Sequence, residues 1–215
     1  MMTPDDALLD SLAADLRPVR RRIAARDLTA FVVLAALEFL AYLLFRGARP
    51  DMPEAMTHMM FWWKAGSLAL LAVIGVVTTI GALDPARSPR PGLRALTLAA
   101  AGAVAVGWAI DAGSGGAGAL LTRLDWREGL ACVAAVVTLA LPALGALVVL
   151  MRRGAATDPA GAAMAAGAAA AAWGGVVFTL HCPHDDPLYV ALWFAVAIAA
   201  VMLIARAVVP RLIRW

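Results

Sequence analysis

The chain has 215 residues, 63% of them hydrophobic and 15% charged, with a formal net charge of +3 and a mean hydropathy of +0.82. That balance excludes an ordinary soluble domain and predicts an all-α integral membrane protein with no room for a separate catalytic domain. Residues 1–27 lack the basic, apolar and small-residue order of a cleaved leader, so no signal peptide is expected.

Residues 3–17 read as a short amphipathic helix. Thr3 suits the N-cap, Pro4 the first helical position, and Asp5 and Asp6 the positive end of the dipole. Leu9, Leu12, Leu16 and Val19 then draw one apolar stripe along a charged segment. Pro18 ends or kinks this helix before the basic run Arg20, Arg21, Arg22 and Arg26. Two readings stand here: a surface helix lying on lipid beside its own bundle, or a docking helix whose stripe enters a partner's groove. The chain therefore divides into a short segment, 1–27, and a membrane domain, 28–215.

Six apolar runs follow, near 28–45, 59–82, 93–110, 129–151, 160–180 and 187–209. Each approaches the roughly 20 residues needed to cross the hydrocarbon core, which predicts a six-helix bundle. The connections between them carry Gly, Pro and charged residues, as in RGARPDMPEAMTH, LDPARSPRPG and HCPHDDP. The fifth run is rich in alanine and contains Gly161, Gly167, Gly174 and Gly175, which predicts close helix packing.

Orientation follows from the basic residues. With the N-terminus inside, only Arg46, Arg49, Lys64, Arg123 and Arg127 fall outside, and the rest of the 18 Lys and Arg lie inside. Both termini are then cytoplasmic. Trp62, Trp63, Trp108 and Trp126 come near the outer interface and Trp215 near the inner one, as aromatic belts require.

This topology gives the two cysteines one address. Cys132 lies roughly 4 to 5 Å below the start of the fourth run, and Cys182 lies just past the outer end of the fifth. His58, His181 and His184 share that side, which in a bacterial inner membrane is the oxidising periplasm. Three readings compete: a structural disulfide or packed thiols, a redox or soft-metal sensor, and a thiol oxidoreductase. The last calls for an attacking and a resolving thiol, usually as C-x-x-C, and neither cysteine belongs to one. Asp186 before Pro187 reads as a helix cap, and His181 and His184 as interfacial residues or accessories of the thiols. The H-C-P-H spacing matches no zinc-site pattern, so metal binding stays open. Glu38 and Lys64 sit at comparable depth in the first two spans and are expected to pair, structurally rather than as a proton path.

The opening DDALLDSLAADLRPVRR, the six spans, a single cysteine near the start of the fourth, and HCPHDDPLYVALWF before the sixth together resemble the NrsF family of bacterial membrane anti-sigma factors. The resemblance covers nearly the whole chain and is most specific in LAADLRPVRR and CPHDDPLYVALW. It implies a non-enzymatic protein without a cofactor that holds an extracytoplasmic-function sigma factor at the inner membrane through residues 1–27. It also implies release when Cys132 and Cys182 sense oxidative or heavy-metal stress. No direct contact with nucleic acid is expected. A small transporter or channel is the competing class, and a membrane thiol oxidoreductase the third.

Overall fold

The computed structural model describes residues 11, 13–14, 22–111 and 123–213. The stripe of Leu9, Leu12, Leu16 and Val19 lies outside them, as does Trp215. The described residues form α1 (Ala24–Arg46), α2 (Met52–Ala55), α3 (Met59–Gly81), α4 (Arg90–Asp111), α5 (Trp126–Met151), α6 (Pro159–Thr179) and α7 (Pro187–Leu212). All but the one-turn α2 are long and apolar enough to cross a membrane. They match the six expected runs, with most ends extended by a few residues.

The helix ends follow from local chemistry. Gly47 stops α1 at a φ of +70°, where its N–H donates to the Leu43 carbonyl, a backbone setting that glycine adopts without a Cβ penalty. Asp125, Asp158 and Asp186 cap α5, α6 and α7 by accepting from first-turn N–H groups, and Pro159 and Pro187 open the last two. The expected Asp186–Pro187 cap is thus present.

Helix α6 is the axis of the bundle. Alanine and glycine cover it all round, so it has no polar face and is buried nearly throughout against α3, α5 and α7. Small residues let the backbones come close: a Cβ at Gly174 would sit 2.8 Å from the Val136 carbonyl oxygen of α5, and one at Gly167 would sit 2.8 Å from Met202 Cα of α7. From the other side, Gly75 of α3 meets Ala169 of α6 equally closely. Helices α1 and α4 lie at the periphery with few buried residues.

Large apolar side chains point outward, among them Leu44, Phe45, Leu98 and Leu203. Hydroxyls inside the spans bond back along their own helices, as Thr79 to Gly75 (2.8 Å) and Thr179 to Gly175 (2.9 Å). Both features fit a hydrocarbon surround, which rewards exposed apolar surface and leaves no water for polar groups. The alternation of the spans gathers the end of α1, the start of α3, the starts of α5 and α7 and the end of α6 at one end of the bundle.

Candidate functional site

At that end the segment 180–186, between α6 and α7, folds over the bundle. Its backbone is held by two cations. Arg49, in the connection after α1, donates to the Cys182 carbonyl (2.7 Å) and to Asp185 Oδ2 (2.6 Å), while its own N–H donates to the Leu180 carbonyl (2.9 Å). Lys64 reaches the same loop from α3. Its fully buried Nζ pairs with Asp185 Oδ1 (2.6 Å) and donates to the carbonyls of His184 (2.9 Å) and Cys182 (3.3 Å). Asp185 is therefore clamped between two cations, one on each oxygen.

Asp186 performs a second task beside its cap. Its Oδ2 accepts from Arg123, which also pairs with Asp111 (2.8 Å) at the end of α4. These hydrogen bonds to the two carboxylates hold the Arg123 guanidinium above its ordinary value. The loop is thus tied to α3, α4 and the connection after α1.

Inside this ionic frame lie both thiols, buried and not joined as a disulfide. A sulfur from each cysteine and one ring nitrogen of His184 lie within 4.8 Å of one another. Cys132 Sγ also meets the Tyr189 hydroxyl at 3.2 Å, and the Tyr189 ring stacks on His184 with centroids 4.4 Å apart. The other edge of the imidazole is fixed, since His184 Nε2 lies 2.7 Å from Glu128 Oε2 on the first turn of α5. The hydrogen bond from Cys132 holds the Cys182 thiol down at about 6, against burial that pushes it up, with the Lys64 charge helping. The hydrogen bond and the nearby Lys64 charge both favour the ionised form of Cys182.

The residues singled out in the sequence separate here. Cys132, Cys182 and His184 come together, whereas His181 is exposed and outside the cluster, and so is His58 at the N-cap of α3. The expected ion pair between Glu38 and Lys64 is corrected: Lys64 is taken by Asp185, and Glu38 instead accepts from Trp173 Nε1 of α6 at 3.1 Å. The reason is direction. The two residues share a depth, but Lys64 points toward the bundle end while Glu38 faces the axial helix. Sequence reading also passed over Arg49, Glu128, Tyr189 and Asp185 as parts of the site. Only Asp185, beside the cysteine in HCPHDDP, carried a local signal.

Six spans around a small-residue axis, with a buried thiol pair framed by ion pairs at one end, define a multi-pass membrane protein whose reactive groups sit at a bundle end. The family model described as NrsF, negative regulator of sigma F, matches residues 12–215. The chain belongs to the NrsF family. It is also 31% identical over 217 residues to the anti-sigma-F factor NrsF of Caulobacter vibrioides (strain NA1000 / CB15N), covering 98% of this chain and 99% of that protein. No solved structure matches it. The family description is regulatory rather than catalytic.

Proposed function

We propose that this protein is an anti-sigma factor that holds an extracytoplasmic-function sigma factor at the bacterial inner membrane and releases it under oxidative or heavy-metal stress. In this reading residues 1–27 are cytoplasmic and dock the sigma factor through Leu9, Leu12, Leu16 and Val19. The basic residues favour that orientation, since most of the 18 Lys and Arg fall on the side of both termini. The thiol cluster then faces the periplasm, where thiols meet oxidants.

The observation that carries the sensing half is the meeting of two buried thiols separated by 49 residues of chain, with sulfurs within 4.8 Å. Oxidation by hydrogen peroxide joins the sulfurs: the Cys182 thiolate attacks one peroxide oxygen and expels the other as hydroxide, and Cys132 then attacks the sulfur of the resulting sulfenic acid, its thiol proton leaving with the displaced oxygen as water. A bond of about 2.05 Å must draw α5 and the 180–186 loop together. Because Arg49 and Lys64 grip the Cys182 carbonyl, that movement is passed to α3 and to the end of α1. Helix α1 leads back to the docking segment. Release follows only if the two arrangements differ in affinity for the sigma factor.

The test is sigma-factor retention in membranes before and after oxidant. Cys132→Ser and Cys182→Ser should each keep basal retention and lose the response, and the double variant should match either single one, because the thiols act as a unit. Normal release in both single variants would end the sensor reading. Retention that survives Leu12→Asp with Leu16→Asp would end the docking assignment, since a charge forced into an apolar groove costs several kcal/mol.

A further inference from the structure

We propose that Cys132, Cys182 and His184 form a three-ligand site for a soft or borderline divalent cation, with Glu128 as the outer carboxylate that aims the imidazole. The proposal deepens the sensor reading and rests on it for what binding does. Two thiolates and an imidazole are the donor set that selects zinc- and cadmium-like ions over magnesium or calcium. The two ring nitrogens of His184 are differentiated. Nε2 is engaged by Glu128 at 2.7 Å, while Nδ1 is buried without a partner and is therefore the atom free to ligate.

An imidazole backed by a carboxylate is how proteins commonly set the tautomer and orientation of a metal-binding histidine. Stacking on Tyr189 further restrains the ring, and the Tyr189 hydroxyl reaches Cys132 Sγ. Around a tetrahedral ion with ordinary metal–sulfur and metal–nitrogen bonds, ligand atoms lie about 3.6 to 3.8 Å apart. The two sulfurs and one ring nitrogen of His184 already lie within 4.8 Å of one another. A contraction of about 1 Å completes the set and leaves the fourth position for water. Binding displaces any remaining thiol protons to solvent. It pulls the loop toward α5, the same direction in which a disulfide would pull it, so oxidant and cation converge on one displacement. The spacing in sequence hides this site, because Cys132 and Glu128 come from α5 and the other ligands from the loop 50 or so residues on.

The probe is Cd²⁺ alone, added to the reduced full-length protein in detergent and followed by thiolate-to-metal charge-transfer absorption, with sigma-factor retention measured on the same preparation. One ion per chain is expected, with the absorption lost in Cys132→Ser and Cys182→Ser. Glu128→Gln should weaken Cd²⁺ by about 10- to 100-fold, and His184→Gln by at least as much. Both should still form the Cys132–Cys182 disulfide with oxidant, which shows that the bundle end is folded. The Glu128 side chain is 57% exposed, so its variant tests the idea even if His184→Gln misfolds. Unchanged Cd²⁺ affinity in Glu128→Gln and in any folded His184→Gln overturns the proposal while leaving oxidant-driven release untouched. Histidine-dependent Cd²⁺ binding without any release, by Cd²⁺ or oxidant, upholds the site and overturns the sensor reading instead.

Discussion

The middle of the bundle and its thiol-bearing end are held together by opposite means. Around α6 there are almost no polar side chains, and specificity comes from glycine and alanine letting backbones touch. At the end, the charged contacts Arg49–Asp185, Lys64–Asp185 and Arg123–Asp186 converge on a seven-residue loop, and specificity comes from which carboxylate each cation reaches. The difference teaches where movement can occur. A close-packed apolar axis has few alternative arrangements, whereas a loop held by polar contacts has several partners to exchange. A switch built at the end can therefore act without repacking the axis.

The largest effect should come from Lys64. Its side chain is fully buried, so Lys64→Met strands Asp185 with Arg49 alone and should cost about 3 to 5 kcal/mol, the range for removing one partner of a buried pair. Unfolding of the full chain in mixed micelles measures it, and a loss below about 1 kcal/mol would mean that the loop is not clamped as described.

Next comes the axis. Gly174→Val places methyls against the α5 backbone and should cost about 1 to 3 kcal/mol while leaving the Cys132–Cys182 crosslink geometry unchanged. Loss of crosslinking in a folded Gly174→Val would show that the two regions are not separable.

A smaller effect concerns acidity. Because the Cys182 thiol is held near 6, its alkylation rate should rise through that pH and level off near about pH 7, whereas an ordinary thiol, half ionised only at about pH 8.5, keeps gaining beyond it. Cys132→Ala removes the donor and should move the rise upward; Cys132→Ser keeps a donor and should move it less. Profiles in both variants unchanged from that of the native chain would mean that Cys132 does not set this acidity.

The smallest effect should be that of Glu38→Gln. The amide still accepts from Trp173, so stability should change by no more than about 1 kcal/mol. A loss as large as that of Lys64→Met would restore the pairing of Glu38 with Lys64.

How much of this was legible in the chain depends on the range of the interaction. The six spans, the Asp186–Pro187 cap and the packing role of the alanine-rich run are local or periodic properties, and each can be read from neighbouring residues. The two cysteines could be assigned to one end because topology alone does that. Depth, however, does not say where a side chain points around its helix, which is why Glu38 and Lys64 were matched to each other when one faces Trp173 and the other the loop. Arg49, Glu128 and Tyr189 carry no motif at all. They join the site only because the 180–186 segment folds back across α3 and α5, and nothing in HCPHDDP states that fold.

The central claim is that drawing Cys132 and Cys182 together lowers affinity for a sigma factor bound at the opposite end. The most direct measurement follows both events in one sample: the full-length protein with its bound sigma factor in liposomes is treated with a thiol oxidant, and the Cys132–Cys182 disulfide and the released sigma factor are quantified over time. The account predicts that release tracks disulfide formation chain for chain and reverses on reduction. Complete disulfide formation with the sigma factor still bound would contradict it.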